Sequence, residues 1–311
     1  MLNYYTNFNG FFHSSESITE KTLWINVEKP TSEEIELLRK TFSLPTDYLT
    51  DILDDDENSR FESGKDVPNL LLLQYPALVK DGEAYSYVET FPLALILTTD
   101  GKILTVGNHP TSFIPEILRQ HFAPEDIVDH LLYEIMFQLA KSFNSYLKSL
   151  KTETSQLEHE LLLTTENKQL YQMIEAQKSL VLLEAALEAN VEVLNKVYKS
   201  MEIKGRTLES KLYDIIVESQ QALTTTRIQM KLLENISDMF SSIVSNNLNN
   251  VMKILTSLTI VLTIPTIVGG IYGMNVKLPF EDNDYAFFIV LGLTIVFCFA
   301  VIRILKKKNM L

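Results

Sequence analysis

Cysteine is almost absent from this chain: Cys298 is the only one in 311 residues. That excludes an internal disulfide and a thiolate metal cluster, and it fits a reducing compartment. Histidine is nearly as scarce. His13, His109, His121, His130 and His159 are scattered, with no HxxxH or HExxH pair among them. No glycine-rich phosphate loop is present either, so no enzyme site emerges and the histidines read as surface or packed residues. The first ten residues, MLNYYTNFNG, lack a basic region followed by an apolar run, so no cleaved signal peptide is expected. Positive charge is also short, with 27 Lys and Arg against 40 Asp and Glu. From position 251 onward six basic residues face three acidic ones, which leaves 21 basic and 37 acidic before it, a net of −16. Such a soluble part repels nucleic acid and attracts cations.

Helix breakers are distributed unevenly. Eight of the ten prolines lie at or before Pro124, the next is Pro265, and the interval between them holds one glycine, Gly205. The first part therefore turns often and the middle is long helix. Residues 1–123 read as a mixed α/β domain. Leu23 to Val27 is a short strand, and Thr31 to Glu34 has capping-box spacing at a helix start. Asn69 to Val79 is strand-like, while Ala84 to Thr98 and Lys102 to Val106 form two strands joined through Asp100-Gly101. The acidic run from Asp51 to Arg60 lacks the spaced oxygen ligands and glycine of an EF-hand and reads as a solvated loop. No internal repeat or low-complexity tract stands out.

Residues 124–204 keep helical spacing (Ile127, Leu131, Ile135, Leu139; then Leu180, Leu183, Leu187, Val191, Leu194), which predicts two long helices broken near Thr164 to Asn167. Beyond Gly205 nothing stops a third helix, so residues 205–275 read as a stalk that continues into a membrane span. Between Val251 and Ile271 the one charge is Lys253, and this stretch would cover roughly 31 Å, the thickness of a bilayer core. Pro265 inside it removes a backbone bond and predicts a local kink. Residues 276–285 form a short acidic loop with Glu281, Asp282 and Asp284, residues 286–305 a second span, and residues 306–311 a basic tail. By the positive-inside rule the tail lies in the cytosol, and two spans put the amino-terminal domain there too.

The first span is not uniformly greasy. Asn249, Met252, Thr256, Thr259, Thr263, Thr266 and Gly270 recur at alternating intervals of three and four, a heptad-like seam, and Asp238, Ser242 and Ser245 extend it into the stalk. Leu255 satisfies the spacing about as well as Thr256. A polar stripe of this kind suits close helix packing or a watered path. Two spans cannot enclose a path, so a watered seam requires several chains around one axis.

The seam ends in Gly269-Gly270-Ile271-Tyr272-Gly273-Met274-Asn275, where glycines allow close approach and a sharp helix exit. Tyr272-Gly273-Met274-Asn275, between two apolar segments at the end of a long acidic chain, resembles the signature of the CorA family of Mg²⁺ channels and transporters. The resemblance covers the whole architecture, an α+β cytosolic domain followed by a long α-helical stalk and two transmembrane helices, but its sharp motif lies in the last 65 or so residues. It implies a homopentamer in the cytoplasmic membrane, lined by the first span and with the second facing lipid. Gly273, Met274 and Asn275 would form a neutral filter that hydrogen-bonds the hydration shell of Mg²⁺. Met252 and Leu255 would be a dewetting constriction, or else ordinary interhelix packing. It also implies regulation by Mg²⁺ bound between cytosolic domains. Leu212-Tyr213-Asp214 resembles the family's sensing region, making Asp214 a candidate ligand with Glu218 one turn away. One departure is that the family commonly has Met-Pro-Glu soon after Gly-Met-Asn, whereas this loop reads Leu278-Pro279-Phe280-Glu281. The place of Glu281 in attracting ions is therefore open, and Asp282 and Asp284 can supply the same charge. The competing readings are a transporter of Zn²⁺, Co²⁺ or Ni²⁺ and a membrane-tethered helical scaffold without a pore.

Overall fold

A computed structural model describes residues 1–64, 67–81, 85–161, 167–200, 206–276, 279, 284–308 and 310. Among the described residues seven strands form one sheet: β1 (Leu2–Phe8), β2 (Phe11–Ser15), β3 (Thr22–Glu28), β4 (Arg60–Gly64), β5 (Val67–Asp81), β6 (Tyr85–Leu97) and β7 (Ile103–Gly107). Their order is β2-β1-β3-β7-β6-β5-β4, antiparallel except for the β3–β7 pair. The parallel pair needs a long crossover, which the segment from Lys29 to Lys102 supplies.

Local chemistry accounts for the turns. β1 and β2 join through Asn9 (φ 49°) and Gly10 (φ 84°), two residues at positive φ as a type I′ hairpin requires. This hairpin was not anticipated, although Asn-Gly is its usual signature. The loop between β6 and β7 passes through Gly101 at φ 78°, as Asp100-Gly101 implied. Helix α1 (Ser32–Phe42) begins in a full capping box. The Glu34 amide donates to Thr31 Oγ1 at 3.2 Å, and Thr31 N–H donates to Glu34 Oε2 at 2.9 Å.

Alternation along the strands divides the sheet into two apolar faces. Ile25, Val27, Leu70, Leu72, Ala94, Ile96, Leu104 and Val106 pack with Leu38 and Phe42 of α1, with Tyr48 and Leu49 of the short helix α2 (Asp47–Thr50), and with Ile52. Leu71 and Leu95, of opposite parity, share a cavity of about 190 Å³ with Met136 and Val197 of two long helices, α4 (Ile127–Leu161) and α5 (Asn167–Ser200). Helix α3 (Ile114–Leu118) is short, and residues 162–166, where the break between α4 and α5 was expected, lie outside the described residues.

Past Leu72, β5 has outrun β4 and its outer backbone edge needs partners. Helix α5 supplies them. The buried Asn190 side chain accepts from Gln74 N–H and donates to Gln74 C=O, both at 2.8 Å, and Ser59 Oγ donates to the same amide oxygen at 2.9 Å. Ser179, also buried, accepts from Val88 N–H of β6 at 2.9 Å. Two polar side chains on an otherwise apolar face thus close the edges of the long β5–β6 hairpin.

The acidic run is less free than a solvated loop. Arg60 pairs with Asp51 (3.0 Å), Glu57 (2.5 Å) and Glu62 (2.7 Å), while Asp55 meets His109 Nε2 at 3.0 Å. A guanidinium offers five donors in a fixed fork, so one arginine can hold three carboxylates.

Helix α6 (Arg206–Tyr272) runs uninterrupted for 67 residues, passing Pro265, and α7 (Ala286–Lys307) follows. Contacts divide the chain into two compact units, Met1–Ile236 and Ser237–Leu311. The sheet therefore belongs with α4, α5 and the first part of α6, and the division falls inside α6.

Candidate ion pathway

Within the second unit, α6 and α7 are each long and apolar enough to cross a membrane, and almost none of either apolar stretch is buried within the chain. On α6 the residues shielded at this depth are Ser257, Val261, Ile264 and Val268, again at intervals of four and three. This is the face that meets α7: Cys298 Sγ lies 3.9 Å from the Val261 carbonyl, and Val268 shares a cavity with Val290 and Thr294. At 100° per residue that face is centred about 145° round the helix from the polar seam. Asn249, Met252, Thr256, Thr259, Thr263, Thr266 and Gly270 are all exposed. The intrachain partner has taken the other side and left the seam uncovered.

Three of the four threonines of the seam share one hydrogen-bonding habit. Thr259 Oγ1 donates to the Leu255 carbonyl (2.9 Å), Thr263 to Thr259 (2.7 Å) and Thr266 to Leu262 (3.0 Å). Each hydroxyl proton is used on the carbonyl one turn back, so the group turned outward is an oxygen with lone pairs to offer. A stripe of acceptors about 5 Å apart suits a ligand that presents donors, as the hydration shell of a cation does.

At the helix end the Gly273 amide donates to Gly269 C=O at 3.0 Å and the Met274 amide to Ile271 C=O at 3.2 Å. The exit is a tight turn, the sharp exit that the glycines allow. Gly273 is not at positive φ, and its Cβ position lies 3.3 Å from the Gly269 oxygen. At Gly269 and Gly270 an added Cβ would meet nothing within 4 Å, so their close approach is not used within the chain. Tyr272 Oη donates to Pro279 C=O at 3.0 Å, a tie that the four-residue motif did not reveal. Met274, Asn275 and Asp284 are exposed; Glu281 and Asp282 lie outside the described residues.

In the first unit Asp214 is exposed on α6, whereas Glu218 accepts from Asn144 Nδ2 of α4 at 2.6 Å. Glu218 is thus tied within the chain and is not a plain solvated face. Burial, with Glu134 and then Asp214, raises the Tyr133 phenol above its usual pKa, and the Lys211 ammonium stands 5.0 Å from the same ring. Among the described residues no three His, Cys, Asp or Glu side chains are grouped to hold a metal.

The profile of the CorA-like Mg²⁺ transporter protein family matches residues 19–307. The chain belongs to the CorA family. That family comprises transporters, not enzymes. The chain is 26% identical over 292 residues to the cobalt/magnesium transport protein CorA of Methanocaldococcus jannaschii, covering 93% of this chain and 91% of that one. It is 24% identical over 312 residues to the magnesium transport protein CorA of Campylobacter jejuni, covering 96% and 94%. In fold it matches the complete structure of the CorA magnesium transporter from M. jannaschii with a TM-score of 0.83 at 23% identity, over 100% of this chain and 99% of that one. The expected CorA architecture, a soluble α/β domain, a long helix and two apolar carboxy-terminal helices, is therefore the observed one.

Proposed function

We propose that this chain is one subunit of a homopentameric channel in the cytoplasmic membrane that admits Mg²⁺ passively to the cytosol, with both ends of the chain on the cytosolic side. The observation that carries the reading is the uncovered acceptor seam of α6, on the side of the helix away from α7. Five such seams around an axis make stacked rings of neutral oxygens. Mg²⁺ loses water reluctantly, so rings that hydrogen-bond its hydration shell conduct it without the retention a carboxylate would bring. We assign Thr256 to the lining: it lies about 35° from the centre of the seam against about 65° for Leu255, at 100° per residue. Asn275, with backbone carbonyls from Gly273 and Met274, forms the outer filter, and Asp284 with Glu281 and Asp282 raises the local cation concentration.

Met252, half exposed on the seam, is the main constriction, with Leu255 on its flank. An apolar ring at this point closes by dewetting. Regulatory Mg²⁺ between subunits is held by Asp214, with Glu218 next to it, and loss of internal Mg²⁺ leaves acidic faces unneutralised so that the subunits splay and the ring widens. Support for Co²⁺ as a second cargo is the name of the M. jannaschii relative, a cobalt/magnesium transport protein.

Purified protein in liposomes loaded with a Mg²⁺ dye tests the proposal. Rapid uptake driven by an inward Mg²⁺ gradient, and competed by Co²⁺, is expected. No uptake by an assembled protein at low internal Mg²⁺ would favour the scaffold without a pore, and Zn²⁺ or Ni²⁺ entering in preference would favour the other metal reading.

A further inference from the structure

One hydroxyl in the apolar part of α6 behaves differently from the rest. Ser257 is fully buried, although every other residue from Val251 to Ile260 is exposed. Its Oγ does not turn back to its own helix as those of Thr259, Thr263 and Thr266 do; it donates to the main-chain carbonyl of Met310 at 2.8 Å. Met310 lies beyond α7, and its amide returns to the Leu305 carbonyl at 3.1 Å. Leu305 is the buried residue of α7, at 6% exposure. A buried polar atom in an apolar setting must find a partner, and here the partner is a carbonyl that no helix uses. Serine, leucine and the returning backbone therefore make one clip between the ends of the two apolar helices.

The clip lies five residues past Met252, about 7.5 Å along the helix, and on the side of α6 away from the seam. It cannot touch an ion in the pore. It can set where α6 stands, because it binds that helix to α7 close to the constriction. We propose that Ser257 is a positioning residue of the gate: its bond to Met310 draws α6 outward against α7 and opposes closure of the Met252 ring. The inference rests on the gating reading above. Closure is favoured because it buries the exposed methionine and leucine side chains, so the clip and the apolar ring act in opposite directions.

Removing one hydrogen bond shifts a two-state equilibrium about fivefold, so Ser257→Ala should lower the uptake rate by up to about fivefold at fixed internal Mg²⁺. The apparent affinity for external Mg²⁺ and the competition by Co²⁺ should not change, since the filter is untouched. Ser257→Val and Ser257→Thr are alike in size and differ in the hydroxyl; valine should behave as alanine, and threonine should keep most of the wild-type rate. Combining Ser257→Ala with Met252→Ala should restore uptake, because the clip acts through the ring. All variants are compared as assembled protein in liposomes. If Ser257→Ala matches wild type while Met252→Ala alone raises uptake, the clip is refuted and the gate stands. Equal loss in the threonine and valine variants also refutes it. If Met252→Ala leaves uptake and its response to internal Mg²⁺ unchanged, the gating reading itself fails.

Discussion

Asn190→Ala removes a side chain that the fold uses as a substitute strand. The amide has 2% of its surface exposed, and it satisfies both Gln74 N–H and Gln74 C=O at 2.8 Å. Alanine leaves those two backbone groups without partners on the outer edge of β5, which β4 does not reach, and water reaches them poorly because Gln74 is itself buried. Orphaning a buried polar group costs about 1–3 kcal/mol, so two of them give about 4 kcal/mol as a middle value. For a unit of this size that corresponds to a fall in melting temperature of about 8–16 °C. Ser59→Ala is the control. It removes the second bond to the Asn190 oxygen, leaves Gln74 satisfied, and should cost about 1 kcal/mol or less. Thermal unfolding of the full-length protein in detergent, followed by intrinsic fluorescence, reads both. A shift for Asn190→Ala within about 2 °C of wild type would refute the reasoning, since it would mean that the hairpin edge finds other partners at little cost.

Further tests address the cap, the seam and the sensor. The Thr31 N–H donated to its carboxylate holds Glu34 below the usual glutamate range. A folded pKa below the unfolded one contributes stability that is complete above the unfolded value, near 4.3, and is lost as pH falls through the folded value. Glu34→Gln should therefore lower the melting temperature at pH 7, with the gap to wild type narrowing below about pH 4; a gap that widens in acid contradicts this. Thr263→Val removes one outward oxygen per subunit at nearly constant volume, so Mg²⁺ uptake should fall while Thr263→Ser retains it. Asp214→Asn should raise the internal Mg²⁺ needed to close the channel by about tenfold or more, the loss expected for one charged contact, and an unchanged closing curve would remove Asp214 from the sensor.

Periodicity explains what was legible in advance. The two long helices before Gly205 and the 67-residue α6 follow from apolar spacing and an absence of breakers, and the observed strands β3, β5, β6 and β7 lie where apolar runs meet turn residues. The seam was legible for the same reason, because helical position is a one-dimensional property of sequence. The β1–β2 hairpin carried its signal in Asn9-Gly10, but β1 is too polar to read as a strand alone. Tertiary partners left no local trace. Nothing near Ser257 points to Met310, 53 residues away; nothing near Asn190 points to Gln74, 116 away; and Glu218 gives no hint of Asn144. The sharp exit at Gly273 was legible because glycine tolerates a close backbone approach. There the backbone turns tightly against the Gly269 oxygen.

The central claim is that ions pass through a neutral filter at Asn275. Uptake into dye-loaded liposomes by wild type and by Asn275→Ala, each at low internal Mg²⁺ and with Co²⁺ as competitor, tests it most directly. The account predicts fast uptake by wild type that is lost, or stripped of its preference for Mg²⁺, in the variant while assembly is unchanged. Equal rates and equal competition in the two proteins would contradict it.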